Sequence, residues 1–348
     1  MARTHASDSG GLLAAAVDRW SGFWFQPQPM TPLGLVRICY GLVMVAWTSA
    51  LLPDLLAFFG TTGIQPEQES APYAWGPLQI WHSDQAMTLT WAVLLLSSAA
   101  LAVGWHSRLA ALVVFVCLNS FIRRDIYVFN AGDGLLRIEC LFLLLSPAGA
   151  ALSLDSRRRR GSFWAAQVRA PWALRLFQVQ MSIVYLATVR EKLSGQTWNE
   201  GTAVSYALRL YDVVNITLPQ WVVMNPLLMN AATWAALAVE IALGVLVWHR
   251  RLRPWVLGAG VVLHLSILVT LAVGFFSWSM FVLYVAFVSP EAAQRLVDRV
   301  RRRLDRRAED RPGAGTATVG SATAEPVTAE PATRAELVEA PDAVTPTG

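Results

Sequence analysis

Long apolar runs separated by short polar breaks occupy most of the chain, and their lengths predict helices that cross a membrane rather than helices that line a water-facing core. The first run covers about Pro32 to Leu52, with Thr31 and Pro32 as a starting signal and Pro53 as a stop. Further runs cover about Ala86–Val103, Ser107–Ile122, Gly134–Leu152, Pro171–Lys192, Pro226–Trp248, Pro254–Leu271 and Phe275–Val288. The expected fold class is therefore all-α: a polytopic integral membrane helical bundle of about eight transmembrane helices. No stretch shows the apolar–polar alternation of a β-barrel strand.

Composition strengthens this picture. The 348 residues are 55% hydrophobic and 15% charged, with a mean hydropathy of +0.43, which excludes an ordinary soluble domain. Residues 1–30 read as an amphipathic interfacial segment ending in the aromatic cluster Trp20, Phe23, Trp24 and Phe25, since Asp18 and Arg19 interrupt any signal-peptide core. Residues 31–290 form the transmembrane domain, and 291–309 a basic helix suited to anionic lipids. Residues 310–348, rich in Pro, Ala, Thr and Glu, read as a disordered tail.

Loop charge sets an orientation. "GWHSR", "SRRRRG", "WHRRLR" and the arginines after the last run fall on one side, and the 53–85 loop on the other carries Asp54, Glu67, Glu69 and Asp84 with no Lys or Arg. Both termini are then cytoplasmic. Basic character thus reflects topology, not nucleic-acid binding. Cys39, Cys117 and Cys140 lie inside runs without pairing spacing, and the five scattered histidines form no metal motif.

Ionisable residues within or at the ends of the runs are the functional candidates, because each costs about 2.5–3.5 kcal/mol at a helix centre. They are Arg37, Arg137, Glu139, Arg175, Glu240 and His264. A structural reading stands beside the functional one: Arg137 and Arg175 can snorkel to an interface, with Glu240 paired to one of them. One residue stands apart by type. Of 28 basic side chains a single one is lysine, Lys192, in "VREKLSGQTWNEG", where it runs against the charge trend.

Four blocks, "PLGLVRICYGLVM", "FNAGDGLLRIECLFLLLSPAGAALSLD", "LRLFQVQMSIVYLATVREKLSGQTWNEGTAV" and "LHLSILVTLAVGFFSWSMFVLYVAFVSPE", resemble in order and spacing the HTTM domain family, the bacterial relatives of vitamin K-dependent gamma-carboxylase. The resemblance covers about Phe23 to Glu291. It implies that Lys192 is the base that deprotonates vitamin K hydroquinone or menaquinol, ahead of chemistry with O2 and CO2. A desolvated lysine can shed its proton near neutral pH, and arginine cannot. The resemblance also implies a quinone pocket among Arg123, Arg124, Asn130, Asp133, Arg137, Trp198 and Glu200, with His264 as a further catalytic donor. The sequence departs from the carboxylases at Gly132 and Asp133, one of which stands where they carry a histidine, and in having no large lumenal domain after the last run.

Three functions follow as expectations. The first is a quinol-dependent membrane enzyme, a carboxylase-like lyase or an oxidoreductase. The second is a non-catalytic membrane partner for maturation or export of a secreted peptide or redox protein. The third is a transporter, which the absence of a repeated half disfavours.

Overall fold

The computed structural model describes residues 5–64, 76–125 and 127–309. Glu67, Glu69 and the whole 310–348 tail lie outside them. Two compact units divide the chain, Met1–Val300 and Arg301–Gly348. In the second, the described residues 301–309 are helical, with Arg301 and Asp305 paired at 3.8 Å.

The helices in order are α1 (His5–Phe25), α2 (Thr31–Ala50), α3 (Leu55–Phe59), α4 (Pro77–Ile80), α5 (Asp84–Val103), α6 (Ser107–Arg124), α7 (Ala131–Leu145) and α8 (Leu154–Arg160). There follow α9 (Trp172–Leu193), α10 (Gln196–Asn199), α11 (Ala203–Ala207), α12 (Gln220–Val223), α13 (Pro226–Val245), α14 (Arg253–Thr270), α15 (Phe276–Val285) and α16 (Pro290–Glu309). A two-residue antiparallel ribbon, β1 (Gln28–Pro29) with β2 (Val168–Arg169), ties the end of α1 to the approach to α9.

Local chemistry explains the helix ends. Ser83 accepts from the Ala86 N–H at 3.2 Å to start α5, and Asn225 caps α13 ahead of Pro226. Asn130 and Asp133 form a reciprocal capping box at the start of α7. Gly104, in the left-handed region at φ 73°, closes α5 and turns the chain into α6.

Each of the eight apolar runs contains a helix, with shifted ends. The fourth stops at Leu145, because Ser146 and Pro147 break it into a 3-10 turn at Ala148–Ala150. Five stretches are long and apolar enough to cross a membrane: Thr31–Phe59, Asp84–Val103, Trp172–Leu193, Pro226–Trp248 and Arg253–Thr270. They become six if Phe276–Val285 and Pro290–Arg307 count as one broken span. The 15-residue α7 falls short in length, and α6 carries Arg108, Arg123 and Arg124. Only 17–39% of each apolar window is covered by protein, so most of it faces outward. Apolar surface on that scale needs lipid, and the chain is an integral membrane protein.

The core lies between antiparallel neighbours. α2 and α5 approach closely at Gly41, where an added Cβ would lie 2.6 Å from the Ala102 backbone. One predicted polar candidate is absorbed by this packing. Arg37 is fully buried, and its guanidinium donates to the carbonyls of Ala148 (3.1 Å), Ala151 (3.0 Å), Ala102 (3.4 Å) and Leu152. It clamps the end of α5 to the turn after α7 and has no opening toward a ligand.

Candidate functional site

α9 and α13 run antiparallel, as contacts at both ends show. Trp248 donates to the Ser182 hydroxyl at 2.8 Å, and Asn230 donates to the Glu200 carbonyl at 3.3 Å. α9 therefore ends alongside the interior of α13, while α10 and α11 pack along the remainder, with the Val204 N–H bonded to the Thr233 hydroxyl. Glu240 lies 14 residues into α13, about 21 Å along its axis from Pro226. This register brings Lys192 and Glu240 together as an ion pair.

The pair is sheltered but reachable: the Lys192 side chain is 24% exposed and that of Glu240 is 9% exposed. The Trp198 ring covers the ammonium, its centroid 4.6 Å from Nζ. Glu240 gives Oε1 to the lysine, while Oε2 is buried and makes no hydrogen bond of ordinary geometry among the described residues. The Thr188 hydroxyl donates to the Tyr185 carbonyl at 3.0 Å and is also close enough to act on the Glu240 carboxylate as a donor. Glu240 thus meets the lysine, not Arg137 or Arg175. A buried polar atom without a partner is rare enough to need an explanation.

One step deeper lies a second polar cluster. The Tyr185 hydroxyl is 2.8 Å from His264 Nε2 and 2.5 Å from the Tyr284 hydroxyl, and His264 Nδ1 is 3.1 Å from the Ser277 hydroxyl. All four side chains are buried. Tyr185 precedes Lys192 by seven residues, two turns of α9, which puts both on one face. The Glu240 charge acts on Tyr185 and Tyr284, and the Lys192 charge acts on His264. Both ring nitrogens of His264 are engaged by protein, so it reaches the lysine pair through Tyr185 and offers no free nitrogen of its own.

The HTTM domain matches residues 25–291 of the chain. The chain belongs to the HTTM family. No curated protein and no solved structure matches it.

In this HTTM chain the other candidates separate into different places. Asp133 is buried, accepting from Trp47 Nε1 at 2.6 Å and from the Asn130 N–H at 2.7 Å, so both its oxygens are satisfied. Asn130 donates to the Val273 carbonyl at 3.3 Å, fastening α7 to the segment that leads to Ser277. Gly132 packs directly on α15, and a Cβ there would lie 2.5 Å from Phe276 Cα. A histidine cannot occupy Gly132 in this backbone.

Arg124 is buried at the end of α6 with Nε and Nη1 unpartnered among the described residues, and Arg123 beside it is half-buried. Arg137 is half-buried and makes no hydrogen bond or ion pair among the described residues. Glu200 is exposed and accepts from Gln196 at 2.6 Å, so its carboxylate is not part of the Lys192 pair. Glu139 is fully buried on α7, with neither oxygen partnered among the described residues. Arg175 donates to the Phe23 carbonyl (3.1 Å) and to Gln178 (2.8 Å), far along α9 from Lys192. Tyr185, Ser277 and Tyr284 were not foreseen, although the two-turn spacing of Tyr185 and Lys192 is a signal the sequence carries.

Proposed function

We propose that this protein is a membrane-embedded acid–base enzyme of a bacterial plasma membrane, acting on a lipid-soluble weak acid of the hydroquinone class, with Lys192 as the base. The apolar runs then make eight crossings, including the shorter α6, α7 and α15, with both termini in the cytoplasm. The observation that carries the reading is the Lys192–Glu240 pair, in which one buried carboxylate oxygen makes no hydrogen bond of ordinary geometry among the described residues.

That oxygen and the lysine together fit a hydroxyl. Glu240 Oε2 can accept a proton or a hydrogen bond, and the part-exposed ammonium under Trp198 is reachable from one side. When bound, a hydroquinone supplies a phenolic proton whose ordinary acidity resembles that of tyrosine.

Lys192 and Glu240 can hold and move that proton between them. Proton transfer from the ammonium to Glu240 replaces the two charges by a neutral acid and a neutral amine. The amine then takes a substrate hydroxyl proton and becomes an ammonium again. Its positive charge stabilises the oxyanion left behind, and Trp198 keeps bulk water from the ammonium face. Tyr185 and Tyr284, held by His264 and Ser277, fix the α9–α14–α15 wall behind the pair. His264 is thus a positioning residue.

The test is oxygen uptake by purified protein in vesicles on addition of reduced menaquinone, together with mass spectrometry of the quinones that co-purify. The expected result is uptake above that of protein-free vesicles and a retained quinone. No stimulation by any reduced quinone overturns the reading, and recovery of a specific polypeptide in place of a quinone favours the partner role.

A further inference from the structure

A second polar cavity lies at the other end of α9, remote from Lys192. Its volume is about 700 Å³, and it opens among the end of α1, β1, the start of α9, the start of α14 and the turn from α15 into α16. Arg175, Arg250 and Arg253 line it, and Glu291 is the one carboxylate on its wall. Arg250 acts electrostatically on Arg175, on Arg253 and on Glu291, so the three arginine charges bear on one another. Charges of one sign gathered around a cavity imply a bound counter-charge.

The arginines are positioned with donors to spare. Arg175 spends Nε on the Phe23 carbonyl and Nη1 on Gln178 Oε1, while Gln178 itself donates to the Ala286 carbonyl at 2.7 Å. Arg253 spends Nε on the Val247 carbonyl at 3.0 Å and stacks over Phe287, 5.7 Å from its centroid. Nη2 of Arg175 and both Nη of Arg253 remain without a protein partner among the described residues. Two guanidinium forks fixed at one edge and open at the other suit the oxygens of a phosphate.

The surroundings say which phosphate. Trp20, Phe25 and Trp255 are exposed at the adjoining ends of α1 and α14, Trp255 by 79%. A charged cavity beside exposed apolar rings matches an amphiphile, whose acyl chains lie along the rings while its headgroup enters. The volume also exceeds what one free phosphate ion fills.

We propose that this cavity is a site for the phosphodiester headgroup of an anionic phospholipid, held by Arg175 and Arg253 with Arg250 at the rim. The claim is independent of any reaction at Lys192. The experiment uses the full chain in a neutral detergent, with phosphatidylglycerol and phosphatidylcholine as probes and native mass spectrometry to count retained lipid. Wild-type protein is expected to retain one phosphatidylglycerol in preference to phosphatidylcholine. R175Q/R253Q should lower that retention about tenfold, whereas R301Q/R302Q/R303Q, on the helix that follows, should leave it unchanged.

R250Q, at an exposed position, should give a several-fold loss and keeps the test valid if the double variant does not fold. Equal retention by wild type, the double variant and R250Q overturns the site. Displacement of the lipid by millimolar inorganic phosphate, with no preference for phosphatidylglycerol, overturns the lipid headgroup and leaves a soluble phosphate as the ligand.

Discussion

Lys192 and Glu240, 48 residues apart in sequence, form an ion pair at which the end of α9 meets the interior of α13. Since α9 and α13 are antiparallel neighbours, the pair links helix register to the chemistry of the site.

A double-mutant cycle measures that link. Glu240→Gln leaves Lys192 beside a neutral amide and is expected to lower stability by about 3 kcal/mol, the lower end for a broken buried pair, because the lysine keeps some water. Lys192→Gln should cost a similar amount. The double variant should recover about 1–2 kcal/mol of the summed loss, within the range found for residues in contact. Unfolding in detergent, followed by circular dichroism, reads all three; strict additivity would show that the pair contributes nothing.

The tyrosine pair should behave asymmetrically. Tyr185→Phe removes the hydroxyl that touches both His264 and Tyr284 and leaves two buried groups short of a partner, at a cost of about 2–3 kcal/mol. Tyr284→Phe removes one contact and keeps the Tyr185–His264 bond, so about 1 kcal/mol is expected. Equal melting temperatures for the two variants would contradict the bridging role of Tyr185.

Glycine substitutions in α7 test its packing against α15. Gly132→Ala places a methyl against the Phe276 backbone, which cannot yield as a flexible side chain can, and should cost about 1–3 kcal/mol. Gly134→Ala, two residues on, meets nothing within 4 Å and should stabilise the helix by about 0.5–1 kcal/mol. Opposite signs in thermal unfolding are the expected result.

Asp155, outside the spans, gives a dependence on pH. Burial alone would raise its pKa, but the N–H and hydroxyl of Ser107, the N–H of His106 and the charge of Arg159 outweigh that and hold it below the usual carboxylate value. The folded state therefore binds this proton less readily than the unfolded chain. Its stabilisation is present above the ordinary aspartate pKa of about 3.9 and is lost as pH falls through the lower folded value. Asp155→Asn should be less stable than wild type at pH 7, with the gap closing toward pH 3. A gap that widens on acidification would reverse the sign and refute the assignment.

The helices were legible in the sequence because apolar length and proline punctuation act locally: the run read from Pro226 starts a helix there, and the run read to Val103 ends one there. Register between helices was not legible. Lys192 reads from sequence as the outer end of its span, yet α13 runs on past it, so its partner is Glu240 rather than solvent. Arg37 looked like a functional charge because its acceptors are backbone carbonyls, three of them 111 to 115 residues away. The wall of Tyr185, His264, Ser277 and Tyr284 comes from α9, α14 and α15, and only His264 stood out by type.

The central claim is that Lys192 acts as a base, and Lys192→Arg tests it most directly because charge and approximate length are kept while a usable proton acceptor is lost. The measurement is reduced-menaquinone-dependent oxygen uptake in vesicles holding equal amounts of inserted wild-type or variant protein. The account predicts a fall of at least about 100-fold for the variant, the low end of what general base catalysis contributes. Equal rates would contradict it and leave the Lys192–Glu240 pair a feature of helix packing.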